Sequence, residues 1–203
     1  MAAPPILYLG GSPCAGKSSV AEVLAADHGL HYLRLDDRLF AHVQAATADT
    51  YPVLASIGAA TCDQIWLILP LAQARRTIHA YIEEFSLHQV DIARMRKPLL
   101  VEGAGLLPCL IAPLLQSSQQ ALYMVPTPIF QRHHYGLRPW VGAVVRECSD
   151  PDQAYANWMR RDEIFARWIQ RNALTHGFKT IIVDGTQSIE ANARIAAIHF
   201  GLA

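Results

Sequence analysis

Residues 6–25, ILYLGGSPCAGKSSVAEVLA, change character twice. A run of apolar, strand-forming residues gives way to a loop of small residues ending in a lysine, and apolar residues then return at helical spacing. The order is strand, glycine-containing loop, helix. Gly11, Ser12, Pro13, Cys14, Ala15, Gly16, Lys17 and Ser18 satisfy G-x-x-x-x-G-K-[ST] at every specified position. Glycine permits backbone conformations that turn successive N–H groups toward an anion, and the helix that follows aims its positive dipole end at the same point. Such a loop suits phosphate: Lys17 reaches the β- and γ-phosphates of a nucleotide, and the Ser18 hydroxyl suits a magnesium ion.

Outward from this motif the chain alternates. Short apolar runs at residues 6–10, 31–35, 98–102, 121–125 and 180–184 read as strands, with helical segments between them. That alternation predicts an α/β fold, a mostly parallel five-stranded sheet covered on both faces. The helix after the loop carries Val20, Val23, Leu24 and Asp27 at helical spacing and is expected to stop at Gly29 in a left-handed cap. Residues 61–96 read as two helices interrupted near Pro70, within an insert over about residues 38–96 that would cover a substrate. Residues 152–176 read as a further amphipathic helix.

The totals set bounds. At 203 residues, without repeats or a low-complexity linker, one domain is expected. Seventeen basic and seventeen acidic residues leave no global field to recruit nucleic acid or an anionic membrane. The most apolar long run, LLVEGAGLLPCLIAPLL, contains Glu102, Pro108 and Pro113, which argue against a membrane-spanning helix. MAAPPIL has no basic residues ahead of its apolar ones, so a secretory signal is not expected. Cys14, Cys62, Cys109 and Cys148 lie far apart without C-x-x-C spacing and read as reduced thiols of a soluble, cytoplasmic protein. A monomer or a homodimer is compatible with all of this.

Acidic residues fall at two predicted strand ends. Asp36 and Asp37, in LRLDDRLF, lie at the carboxyl edge of the sheet, where ligands of open parallel sheets collect. One would orient or deprotonate an acceptor hydroxyl and the other hold a magnesium-bound water, unless one merely caps the next helix. Glu102, ending LLVE, is a second-choice magnesium residue; a local turn bond is its plainer role.

The complete loop at 11–18, DDRLF at 36–40, PTPIFQRHHYGLRPW at 126–140, NWMRRDEIFARW at 157–168 and IIVDGTQS at 181–188 together resemble the nucleoside monophosphate kinase-like branch of phosphate-loop small-molecule kinases. Adenylate, cytidylate, shikimate, gluconate and uridine kinases and chloramphenicol phosphotransferase belong to that branch. The resemblance implies a phosphate-loop NTPase fold of three layers spanning residues 1–203, with ATP and Mg2+ as cofactors and a small-molecule phosphate acceptor. It implies Asp36 as the base, and a lid over about residues 131–160 bearing Arg132 and Arg138. It further implies Arg160 and Arg161 as contacts to the transferring phosphate, Ser19 within the nucleotide-binding set, and a Gly185 loop whose backbone lies against the adenine. The arginine-bearing segment of true adenylate kinases is replaced by EGAGLLP, so a nucleotide acceptor loses ground.

Arginines on an amphipathic helix more often form a solvated face, which is the plainer reading of Arg160, Arg161, Arg167 and Arg171. No histidine stands out as a metal ligand. The sequence thus predicts an ATP-dependent small-molecule kinase acting on a small anionic or hydroxyl-bearing acceptor, anions being favoured by Arg38, Arg75 and Arg76 in the insert. The alternative is an ATP-binding switch or regulatory module with slow ATPase activity, which keeps the loop but needs no acceptor base.

Overall fold

The computed structural model describes residues 5–202; Met1–Pro4, on which part of the signal-peptide reading rests, lie outside the described residues. In chain order the elements are β1 (Ile6–Gly11), α1 (Lys17–His28), β2 (His31–Arg34), α2 (Leu39–Ala45), α3 (Pro52–Ala59), α4 (Cys62–Trp66), α5 (Pro70–Arg94), β3 (Leu99–Glu102) and α6 (Pro108–Ile111). They continue with β4 (Ala121–Pro126), α7 (Pro128–Gly136), α8 (Val141–Val145), α9 (Pro151–Thr175), β5 (Lys179–Val183) and α10 (Ile189–Phe200). All five predicted strands form within a residue or two of their expected limits, α4 and α5 part at Pro70, and Gly29 caps α1 at φ 63°.

The sheet is entirely parallel, in the order β2-β3-β1-β4-β5. Its central strands are apolar on both sides because helices cover both faces. Period-two alternation sends Tyr8, Leu99, Val101, Tyr123 and Val125 to one face, where Phe85 of α5 and Phe165 and Ile169 of α9 meet them. Leu7, Leu9, Leu100, Leu122 and Met124 point to the other, against Val20 and Leu24 of α1 and Ala196 and Phe200 of α10. The chain leaves β1 toward β2 at one edge and later returns to β4 on its opposite side. The carboxyl end of β1, between β3 and β4, is therefore the point where strand order reverses and a crevice opens.

A third apolar cluster lies beyond the sheet. Tyr135 of α7, Val141 and Val145 of α8 and Trp158 of α9 pack together with Trp66 of α4. Residues 131–160 run from inside α7, across α8, into the first half of α9, so this segment rests on the insert. Cys62 and Cys148, 86 positions apart, are joined as a disulfide, which corrects the expectation of four reduced thiols; Cys14 and Cys109 are free. Spacing gave no hint of the pair, because only the packing of α4 beside the α8–α9 connection brings the two together. Asp63 braces the junction by accepting from Ser149 N at 2.8 Å and Ser149 Oγ at 2.7 Å, and those bonds hold its carboxyl below the usual range.

Closing so long a loop restricts the unfolded chain. The Cys62→Ser/Cys148→Ser double variant is expected to lose about 2–4 kcal/mol in reversible denaturant unfolding. A midpoint and slope equal to those of the native chain would show that the bridge adds nothing to stability. No helix among the described residues is long and apolar enough to cross a membrane.

Candidate active site

β1 ends in the crevice, and the phosphate-loop pattern occupies the turn into α1. Gly16 stands at φ 75°, the left-handed conformation that favours glycine, and α1 starts at Lys17 immediately after it. Cys14 also has a positive φ, 65°, and its thiol lies 3.8 Å from Gln131 O, with burial pushing its pKa up. The free N–H groups of the first turn of α1 face the same space. Lys17 is almost fully buried and donates from Nζ to Ser12 O at 3.0 Å, which folds its ammonium back over the loop.

Beside the loop stands Glu102, the last residue of β3, completely buried. Ser18 Oγ and Tyr32 Oη each donate to its Oε2 at 3.1 Å, and Lys17 Nζ lies 3.8 Å from Oε1. Oε1 has no hydrogen-bond partner among the described residues. Burial raises the Glu102 carboxyl above its ordinary range even though Lys17 draws it down. An under-satisfied buried carboxylate next to a hydroxyl, beside the loop of the G-x-x-x-x-G-K-[ST] pattern, fits a hard divalent cation, for which oxygen donors are the natural ligands.

A cavity of about 530 Å³ opens over the loop, lined by Pro13 to Ser19, Arg34, Asp36, Tyr135, Arg138 and Trp140 among others. A second cavity, about 330 Å³, lies under the insert and is lined by Leu35, Asp36, Leu39, Tyr81, Glu84, His88, Gly105, Trp140 and Trp158. Asp36 and Trp140 line both. Asp36 sits in a single 3-10 turn, Leu35–Arg38, that follows β2, and its Oδ1 accepts from Ala104 N at 3.3 Å. Neither aspartate caps α2. Asp37 lines neither cavity: its side chain is 67% exposed and lies 3.6 Å from Arg34.

The arginines divide. Arg138 reaches the loop cavity, its guanidinium 5.1 Å from the Tyr135 ring centre and 5.5 Å from that of Trp140. Arg132 and Arg160 do not line it; they donate to Glu163 at 2.9 Å and 2.8 Å. Burial pushes Glu163 upward, but these two bonds outweigh it and hold the carboxyl low. Arg161 is directed to the insert, donating to Thr77 Oγ1 at 3.1 Å, pairing with buried Asp162 and lying over the Trp66 ring at 5.1 Å. Gly11 and Ser12 are buried behind the loop rather than on the cavity wall. Gly185, at φ 93°, lies against the Phe130 ring, also away from that wall. In this conformation the structure thus gathers Lys17, Ser18, Glu102, Asp36 and Arg138 and leaves Asp37, Arg132, Arg160, Arg161 and Gly185 outside.

Sequence reasoning passed over Tyr81, Glu84 and His88. They recur at 81, 84 and 88 on the sheet-facing side of α5, and polar residues on the buried stripe of an amphipathic helix are the signal that marks them. The insert arginines invoked for an anionic acceptor do not line the second cavity. Arg38 lies 3.8 Å from Asp91, Arg76 donates to Gln64 O at 2.9 Å and Ile65 O at 2.8 Å, and Arg75 is exposed.

Comparison with known proteins bears on the fold. No family model and no curated protein matches the chain. Among the solved structures that share its architecture, two span its whole length or nearly so. One, from Chloroflexus aurantiacus and described as a candidate kinase, is 14% identical with a TM-score of 0.50, over 97% of this chain and 98% of its own. The other, TT1252 from Thermus thermophilus, is 13% identical with a TM-score of 0.53, over the whole of both chains. At these identities the likeness speaks for the parallel α/β fold alone.

Proposed function

We propose that this protein transfers the γ-phosphate of ATP to a hydroxyl of a small molecule held in the second cavity. The observation that carries the reading is the place of Asp36, a carboxylate on the wall common to the loop cavity and the cavity under the insert. The description of the Chloroflexus protein as a candidate kinase is in keeping with it. In-line phosphoryl transfer needs a donor and an acceptor that meet at one point, with an acid–base group there and water excluded.

The loop N–H groups and Lys17 bind the β- and γ-phosphates. Ser18 and Glu102 would hold Mg2+, which neutralises phosphate charge when bound. The acceptor hydroxyl attacks the γ-phosphorus as the bond to the β–γ bridging oxygen breaks. Asp36 takes the hydroxyl proton and ADP departs. Arg138 stands over the cavity to balance charge on the transferring group.

The test is a metabolite-pool screen that follows ADP formation as a function of added acceptor. At least one hydroxyl compound is expected to raise ADP release well above the rate without acceptor and to appear as its phosphomonoester by mass spectrometry. Slow ADP formation that no compound stimulates would favour the switch module instead.

A further inference from the structure

The cavity under the insert has a one-sided polar lining. Glu84 is buried, and two imidazoles converge on its Oε1: His42 Nδ1 at 2.8 Å and His88 Nε2 at 3.2 Å. Burial works to raise the Glu84 carboxyl, and the histidines outweigh it, so the group is held ionised. Among the described residues no hydrogen bond uses Oε2. His88 Nδ1 is buried without a partner, and in the tautomer whose Nε2–H is directed to Glu84 that atom offers a lone pair. The Cε1–Nδ1 edge of the ring faces Gly105: a Cβ there would stand 2.8 Å from Cε1 and 3.4 Å from Nδ1. The space beside the unpaired nitrogen therefore exists because residue 105 is glycine. Asp36, with Oδ1 already accepting from Ala104 N, adds a second carboxylate across the cavity. The rest of the wall is apolar or aromatic, and it contains no lysine or arginine.

Resting on the phosphotransferase reading, we infer that the acceptor is an uncharged or cationic hydroxyl compound with an apolar or aromatic body. It presents hydrogen-bond donors, hydroxyl or ammonium, to Glu84 and His88 and carries no carboxylate or phosphate of its own. Two carboxylates on a wall whose lining includes no lysine or arginine disfavour an anion, which would enter without a guanidinium or ammonium to receive it. Buried acceptors left unpaired by a ligand without donors lose the bonds they have with water, so matching donors decide which ligand stays. Tyr81, Trp140 and Trp158 give the wall aromatic surface against which an apolar or aromatic body packs. The Glu84–His88 pair acts on specificity, apart from the proton transfer assigned to Asp36.

Four probes of one shape test this: 2-amino-1-phenylethanol, 1-phenyl-1,2-ethanediol, mandelate and phenyl phosphate. Each is titrated by calorimetry and ligand-observed NMR into the full chain saturated with a non-hydrolysable ATP analogue and magnesium. The amine and the diol are expected to bind at least about tenfold more tightly than mandelate or phenyl phosphate. Glu84→Gln should reduce the lead of the amine over the diol. Leu39→Lys changes an exposed residue on the cavity rim, leaves the buried pair intact and should move the preference toward mandelate. Equal or tighter binding of either anion, no binding by any probe, or an unchanged order in Leu39→Lys would overturn the inference. Binding of the ATP analogue, titrated alone, reports separately on the loop. Loss of that binding with the amine preference retained would remove the phosphotransferase reading and leave the donor selectivity standing.

Discussion

Lys17→Ala is expected to lower ATP turnover by about a hundred- to a thousandfold, the usual consequence of removing one preorganised charge-stabilising donor. Lys17 is 5% exposed, folded back to Ser12 O, and within 3.8 Å of Glu102 Oε1. Alanine removes the donor proposed for the β- and γ-phosphates and also takes the neighbouring cation from a fully buried carboxyl that burial already raises. Glu102 then holds its proton more tightly, which weakens it as a partner for a divalent cation beside Ser18. Nucleotide binding should fall with turnover, though less steeply, because the loop N–H groups remain. Calorimetry with the ATP analogue and steady-state ADP release check both quantities, with the thermal midpoint as a control for folding. Equal affinity and equal turnover in the two forms would remove Lys17 from the mechanism.

The parts of this molecule that local patterns determine were legible in its sequence. β1, β3 and β4 are short apolar runs bounded by turn residues, and their alternation with helices by itself specifies a parallel sheet. The loop was equally plain, because its geometry depends on residues 11–18 themselves. The courses of Arg132, Arg160 and Arg161 were not legible for a physical reason: a guanidinium goes wherever a carboxylate or an aromatic face is available, and those partners come from tertiary packing. Arg132 finds Glu163 on α9, 31 positions away, and Arg161 finds Trp66 on α4. The cavity under the insert combines the turn after β2, the start of α2, α5, the turn after β3, the entry to α8 and α9, so no window of sequence displays it. The spacing of Tyr81, Glu84 and His88 was visible, but helical periodicity alone does not say whether buried polar residues brace a core or face a ligand.

The adjacent aspartates illustrate the same division, since the sequence offers both and the fold separates them. Asp36→Asn is expected to lower acceptor-dependent phosphate transfer by about a hundred- to ten-thousandfold, the range typical of a general base, with ATP affinity nearly unchanged. Asparagine has the same shape and its carbonyl oxygen can still accept from Ala104 N, so the turn after β2 should persist. What is lost is the capacity to take a proton at the wall shared by the two cavities. Asp37→Asn is the matched control. Its carboxylate is solvent-exposed and meets only Arg34 at 3.6 Å, a surface pair worth less than about 1 kcal/mol, so transfer should stay close to the parental rate. The measurement is single-turnover transfer to an acceptor found by the ADP screen, run for both variants beside the parent. If Asp37→Asn shows the large loss and Asp36→Asn does not, the exposed residue must enter the crevice in the closed enzyme. If both transfer at the parental rate, proton removal in the transition state is not carried by this turn. Glu102, whose raised carboxyl lies beside Lys17 and Ser18, would then be the next group to replace.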